Sequence, residues 1–103
     1  MTYQKYQFVK SKKRVQTLIL ISLLSIPQPF SLTGLWEAWV IDKDGDILNY
    51  HYWLMEEEIC SIIEPIININ VESIKHQEPN NIATLPFIEY YQKLKIEHFL
   101  NNL

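Results

Sequence analysis

Glu37 and His51 are the residues whose types could support acid–base chemistry in the middle of the chain. A carboxylate can orient an imidazole ring, which then acts as a general base. Catalysis also requires a nucleophile or a substrate pocket, and the sequence places no such group at a recognisable spacing from this pair. We therefore expect a half-exposed ion pair between neighbouring strands, worth under about 1 kcal/mol. The sequence favours a protein that is not an enzyme.

Cation binding is the second chemistry to consider, because three aspartates surround Gly45: Asp42, Asp44 and Asp46. A calcium-binding EF-hand loop has a carboxylate at its first position, glycine at its sixth and glutamate at its twelfth. With Gly45 in the sixth position, Val40 stands first and His51 twelfth, so the pattern fails. The aspartates instead indicate an acidic, solvated turn.

Few other residues in the sequence could bind a metal ion. The single cysteine, Cys60, cannot form an internal disulfide bond or a site of several thiolates. It lies among isoleucines, where we expect a small buried thiol. His76 and His98 are too far apart in the sequence to suggest a metal site. We expect neither a metal nor a cofactor.

Positive charge is concentrated at the N-terminus in the cluster Lys12, Lys13 and Arg14. Residues 1–33 carry five cations and no acid, whereas residues 34–103 carry four lysines and twelve acids. Such a dipole either folds back and neutralises itself or presents a basic end to an anionic partner. Cations with aromatic neighbours can bind nucleic acid. Membrane binding is disfavoured, because the cations lie at one end of the segment rather than along one helix face.

An apolar run follows this cluster and ends before Pro27. It predicts a buried helix from about Ser11 to Ser25, because proline cannot continue a helix. The alternative is a secretory signal cut near Ser31 or Thr33. The run is shorter than the 20 or so residues that span a membrane. We expect a cytoplasmic protein, with the signal as the alternative.

The clearest structural signal is a β-hairpin, in which two runs rich in Trp, Tyr and Ile flank the Asp-Gly turn at Gly45. With Ile41 opposite Ile47, one face is wholly apolar and is the expected core face; it pairs Val40 with Leu48, Ala38 with Tyr50 and Trp36 with Tyr52. The other face is mixed and is expected to be partly exposed; it pairs Trp39 with Asn49, Glu37 with His51 and Leu35 with Trp53.

The last third predicts three elements. Acids at Glu56–Glu58 open a short helix that ends at Pro65. Residues 67–71 alternate apolar and polar side chains, which predicts a strand. A terminal helix begins at Thr84 as its cap, with Pro86 in its first turn. Its core stripe comprises Phe87, Tyr90, Tyr91, Leu94, His98 and Phe99.

The length of 103 residues and the 48% hydrophobic content indicate one globular domain and exclude a disordered chain. We predict an α+β domain over residues 1–103: a small, mainly antiparallel sheet built on the hairpin, with N-terminal and C-terminal helices packed on it. Residues 1–14 are expected to form a basic, flexible flank.

The favoured function is that of a small accessory or adaptor protein that contacts a partner protein, or a second copy, through the hairpin or an open sheet edge. The predicted contact residues are Leu35, Trp39, His51 and Trp53. The alternative is a small nucleic-acid-associated regulator that binds through Lys12, Lys13 and Arg14.

Overall fold

A computed structural model describes residues 3–24, 34–75 and 81–103. Its elements, in chain order, are β1 (Phe8–Ser11), β2 (Thr17–Leu24), β3 (Leu35–Ile41), β4 (Ile47–Met55), a 3-10 helix (Glu56–Glu58), β5 (Ile59–Ile63), α1 (Val71–Lys75) and α2 (Asn81–Asn101). The strands form one antiparallel five-stranded sheet in the order β4-β3-β2-β1-β5. The predicted α+β class, with a small antiparallel sheet built on a hairpin, is confirmed.

The short link between the two edge strands forces the sheet to coil. Only the three-residue 3-10 helix joins Met55, the end of β4, to Ile59, the start of β5. In a flat sheet these residues would be separated by four strand spacings across the sheet and by the length of about seven residues along the strands. The resulting distance is on the order of 30 Å. Four peptide steps reach at most about 15 Å. The sheet therefore curls into an incomplete barrel.

Coiling gives the sheet a concave and a convex face, and each carries its own apolar cluster. The concave cluster contains apolar side chains from every strand, all but one of them aliphatic: Val9, Leu18, Leu20, Trp36, Ala38, Val40, Leu54 and Ile59. The convex cluster contains residues of both helices together with these residues of the strands: Phe8, Ile19, Ile21, Trp39, Ile41 and Ile47. Both faces are buried because the curled sheet encloses one and the helices cover the other.

Helix α2 covers the convex face mainly through aromatic side chains. The Phe87 ring meets Trp39 edge-on, with ring centroids 5.3 Å apart, and meets Tyr6 in the same way at 5.4 Å. Tyr6 has a φ of 71°, unusual for a residue with a side chain, and this places its ring over Phe87 and Tyr90. The cover over Trp39 therefore comes from the C-terminal helix.

The predicted hairpin is confirmed at its turn. Gly45 has a φ of 87°, and Ile41 faces Ile47 as expected. Beyond that pair the register differs from the prediction by two residues. The cause is a bulge in β4 between Ile47 and His51, the partners of Ile41 and Trp39. Trp39 therefore faces His51, and Glu37 faces Trp53. An even shift leaves every side chain on its predicted face.

The predicted N-terminal helix is wrong. Its apolar run forms β2, the central strand, which pairs with β1 and β3. A strand buried on both faces shows the same uninterrupted run of apolar residues as a buried helix, so periodicity cannot separate the two. The expected flexible flank, residues 1–14, contains β1, so Phe8–Ser11 belong to the sheet. Pro27, Ser31 and Thr33 lie outside the described residues, and no helix within the described part is long and apolar enough to cross a membrane.

The C-terminal third also departs from the prediction. The short helix is limited to the 3-10 helix, after which the isoleucine-rich segment forms β5. Residues 67–71 are not a strand, because Asn70 caps α1: its side-chain oxygen accepts from the Glu72 N–H, 3.1 Å away. Helix α2 begins at Asn81, so Thr84 and Pro86 lie inside it rather than at its start.

One phenol contributes to fixing the irregular segment before α1. The Tyr91 hydroxyl accepts from the backbone N–H of Ile69, at 2.5 Å, and donates to the carbonyl oxygen of Ile67. Tyr91 itself is fully buried. A side chain on α2 thus satisfies backbone groups that a strand ladder would otherwise pair.

Replacing Tyr91 by Phe should lower the free energy of unfolding by about 1–3 kcal/mol, because it leaves the buried Ile69 N–H without its acceptor. Urea denaturation followed by circular dichroism measures the loss. Tyr90→Phe is the matched control, since the Tyr90 ring contacts Tyr6 with centroids 4.7 Å apart and the substitution keeps the ring. Equal losses in the two variants would contradict the role of the Tyr91 hydroxyl.

Stability should also fall in alkali. Burial raises the pKa of Tyr90 and of Tyr91, aided at Tyr90 by the Glu97 carboxylate and opposed at Tyr91 by the Ile69 N–H. The folded state therefore retains these protons above pH 10 or so, where unfolded tyrosine ionises. The stabilisation is complete below that pH and is lost as the pH rises through the folded-state values. Urea midpoints across this range should fall less steeply for the Tyr90→Phe/Tyr91→Phe double variant; parallel curves would contradict the assignment.

Candidate interaction surface

Strand β4 forms one edge of the sheet, and its two ends are occupied. Among the described strands it pairs only with β3. At its start, the Ile47 N–H donates to the Ser73 hydroxyl of α1 at 2.8 Å. At its end, Met55 leads directly into the 3-10 helix. The open part of the edge lies between these points and includes Tyr50 and Trp53.

Large side chains are exposed along this edge. Trp53 is 55% exposed, Tyr50 43% and Met55 37%. Residues 50 and 53 project to opposite faces of the strand because their positions differ by an odd number. The edge therefore carries aromatic surface on both sides of the sheet.

The apolar surface extends across the end of the sheet. Met55 pairs with Leu35, and Leu35 pairs with Leu24, so these three side chains form one row across β4, β3 and β2. Leu35 is half-buried, and Leu24 is exposed. The row places the predicted contact residue Leu35 between two exposed neighbours.

The four predicted hairpin contact residues separate into two groups. Trp53 and Leu35 are accessible. Trp39 is fully buried beneath Phe87, and the His51 side chain is 11% exposed. Trp39 therefore cannot form part of an exposed surface, because α2 covers the face on which it lies.

Glu37 and His51 do meet, but in a buried setting. The His51 Nδ1 atom lies 3.0 Å from Oε1 of Glu37, and the two side chains are 11% and 10% exposed. The expected half-exposed pair is thus wrong in its burial. The contact is diagonal across β3 and β4, a consequence of the two-residue shift in register.

A third polar group completes this cluster. The Ser22 hydroxyl donates to Oε2 of Glu37 at 3.3 Å. The carboxylate stands between the hydroxyl and the imidazole, whereas nucleophilic catalysis needs the imidazole between the other two. His51 Nε2 and Trp39 Nε1 are buried without a hydrogen-bond partner among the described residues. The arrangement holds three polar groups within a packed face and does not activate Ser22.

The basic cluster occupies the turn between β1 and β2. Lys12 and Lys13 are exposed, and the Arg14 guanidinium stacks 3.2 Å above the Tyr52 ring centroid. One acid of the 3-10 helix lies beside it: the Lys12 N–H donates to the Glu58 carbonyl at 2.8 Å, and Lys13 Nζ is 3.6 Å from Oε1 of Glu58. Glu58 offsets part of this positive charge, which weakens the case for nucleic acid. Nucleic-acid binding through this turn stays a prediction.

The aspartate turn uses its oxygens internally. Oδ1 of Asp42 accepts from the N–H groups of Asp44 and Asp46, at 2.9 and 3.0 Å, and Oδ1 of Asp46 accepts from the Asn70 amide at 2.8 Å. Within the described part of the chain, no group of three or more His, Cys, Asp or Glu residues could hold a metal ion. Cys60 is exposed rather than buried, because it lies on the edge strand β5.

Tyr50 and Tyr52 form a pair on the concave side of β4. Their ring centroids are 5.5 Å apart in an edge-to-face arrangement. Desolvation, together with the neighbouring Tyr52 phenol, raises the pKa of Tyr50.

Sequence reasoning missed which strand carries the open edge. The signal was present: β4 is nine residues long and contains no Lys, Arg, Asp, Glu or Pro, the residue types that usually block an edge. Interpreting that signal requires the strand order, and the order depends on pairings between distant segments. Comparison of the chain with protein-family models, with curated proteins and with solved structures found no match.

Glu37→Ala should lower the free energy of unfolding by about 1–3 kcal/mol, because His51 and Ser22 then lose a buried partner. Glu37→Gln should lose less, since the amide oxygen still accepts a hydrogen bond. Glu89→Ala, at an exposed position of α2, is the control and should change stability by under about 0.5 kcal/mol. Denaturant midpoints compare the three, and a Glu37→Ala variant as stable as the control would show that the cluster stabilises nothing.

Proposed function

We propose that this protein is a non-catalytic adaptor that binds a partner protein along β4, with an extended segment of the partner adding to the sheet as a further strand. The observation that carries the proposal is a nine-residue edge strand without a charged residue or a proline. Such edges pair readily with other chains unless something blocks them.

The backbone of β4 supplies the general part of the affinity. In an antiparallel pair, alternate residues direct their N–H and C=O groups away from the neighbouring strand. On an edge strand these groups are available to an added strand, the mode of recognition known as β-augmentation. Ser73 closes one end of β4 at Ile47. The added strand is thus confined to the stretch beyond it.

The exposed aromatic residues supply the specific part. Trp53 lies on the convex face and Tyr50 on the concave face, so an added strand meets one large ring on each side. Tryptophan and tyrosine are enriched among the residues that dominate binding energy at interfaces. We therefore expect the partner strand to carry apolar side chains at alternate positions opposite these rings.

Strand β5, the other edge, fits this role less well. It has five residues, and its exposed positions include Cys60, Ser61 and Ile62. A shorter edge offers fewer backbone hydrogen bonds, and this one exposes no aromatic ring. For these reasons the proposal places the partner on β4.

A library of displayed ten-residue peptides, selected on the full chain, tests the proposal. Selected peptides should lose at least about tenfold in affinity, or about 1.4 kcal/mol, for Trp53→Ser and for Tyr50→Lys. Both positions are exposed, so the fold should survive. Hydrogen exchange measured by NMR should show new protection at amides of β4 in the complex.

Ile62→Lys is the matched control, because it adds a charge at an exposed position on the opposite edge. It should leave peptide affinity unchanged. Two results would contradict the proposal: a library that yields no binder, or binders whose amide protection maps away from β4.

A further inference from the structure

Arg14 reaches the concave side of β4 from the turn between β1 and β2. Its guanidinium lies 3.2 Å above the centroid of the Tyr52 ring. Tyr52 in turn meets the Tyr50 ring edge-on, with centroids 5.5 Å apart, and Tyr50 is exposed at the open edge of the sheet. A positive charge therefore lies beside the part of β4 that an added strand would cover.

The charge of Arg14 has no counter-ion within the described part of the chain. The guanidinium belongs to neither ion pair formed there, and its Nε atom is buried without a hydrogen-bond partner among the same residues. Arg14 as a whole is half-buried, so it is less hydrated than the exposed Lys12 and Lys13 of the same turn. A cation that loses water without gaining an acceptor is costly, and a bound carboxylate would offset that cost.

Two acids of the adjoining 3-10 helix are directed to other groups. Oε1 of Glu58 contacts Lys13 Nζ, and Oε1 of Glu56 accepts from the Trp36 indole N–H. Strand β4, on which the guanidinium lies, contains no Asp or Glu. This arrangement favours an acceptor for Arg14 that comes from a bound partner.

The positive charge acts on the open edge itself. Desolvation and the Tyr52 phenol raise the pKa of Tyr50, and the charge of Arg14 acts in the opposite direction. The guanidinium therefore lies within electrostatic range of the exposed Tyr50 ring. An acidic group brought to this edge would be attracted in the same way.

We propose that Arg14 binds the carboxylate of an aspartate or glutamate side chain in the segment that pairs with β4. The inference rests on the proposed function and adds the chemistry of the partner. A carboxylate suits the guanidinium because two parallel N–H groups can bond its two oxygens. The Tyr52 ring already supports the guanidinium, so less side-chain freedom is lost when the carboxylate binds.

The place of Tyr52 on β4 fixes where the acid lies in the partner. Side chains of an added strand alternate between the two faces, so the acid shares the concave face with the residue opposite Tyr50. Tyr50 and Trp53 flank Tyr52 along β4, so a segment that contacts both rings passes Arg14 in its interior. A side chain, rather than the carboxyl end of the segment, therefore supplies the carboxylate.

Peptides selected from the ten-residue library on the full chain give the first test. Those that protect β4 amides should share an Asp or Glu at one concave-facing position, and amidation of the peptide C-terminus should leave their affinity unchanged. Replacing the shared acid by Asn or Gln should weaken binding about tenfold, because a charge-assisted hydrogen bond is lost. Affinity should also fall as the salt concentration rises.

A double-mutant cycle tests the contact itself. Arg14→Gln should weaken binding of the acidic peptide about tenfold and should cost little more once the peptide carries the amide. Arg14→Lys should give an intermediate loss, because it keeps the charge but not the planar fork. Lys12→Gln is the matched control: it removes an exposed cation from the same turn and should leave affinity unchanged.

Urea midpoints of these variants show whether each one folds, and Arg14→Lys provides a second cycle if Arg14→Gln does not. Binders that protect β4 but share no acid, or losses that add in the cycle, would overturn this inference and leave the proposed function standing. Loss of affinity on amidation would assign the carboxylate to the chain end and overturn the side-chain assignment. A library without binders, or protection away from β4, would overturn both.

Discussion

The three-residue connection from β4 to β5 is the constraint on which the rest of this structure depends. It joins the two edge strands of a five-stranded sheet. The connection leaves β4 at one end of the sheet and enters β5 at the other end of the sheet. A flat sheet cannot satisfy it, so the strands coil. The acids of the connection then meet other parts of the fold: the Trp36 indole N–H donates to Oε1 of Glu56 at 3.1 Å, and Glu58 binds the β1–β2 turn. The link thus connects the two edges of the incomplete barrel through a run of three acids.

Coiling explains why so short a chain has two apolar clusters, one on each face of the sheet. The concave face is filled by its own side chains, so it needs no covering layer. The convex face packs against α2, whose Phe87 ring covers Trp39. Trp53 lies on the same face but on the edge strand, where it stays accessible. The binding surface proposed for β4 is what remains after each face of the sheet has been covered.

The parts of the fold that the sequence predicts are those set by local chemistry. The turn at Gly45 and the faces of β3 and β4 follow from an Asp-Gly pair and from alternation along two strands. Strand β2 was not predictable in this way, because its run of apolar residues fits a buried helix equally well. The Glu37–His51 contact was predicted, whereas its burial was not, since burial depends on packing between segments that are distant in the sequence. Non-local pairing decides such features, and a single sequence carries no local signal for it.

Gly45 shows why one local signal was dependable. A Cβ atom at this position would lie 2.5 Å from the carbonyl oxygen of Asn68, so the packing of a distant segment requires glycine as much as the turn does. The Asn70 N–H also donates to the Gly45 carbonyl at 2.7 Å, which ties the hairpin to the start of α1. Because turn geometry and tertiary contact demand the same residue, the local preference and the global fold agree at this point. At β2 the local sequence preference does not specify a strand. The strand forms there only because β1 and β3 pair with it on either side.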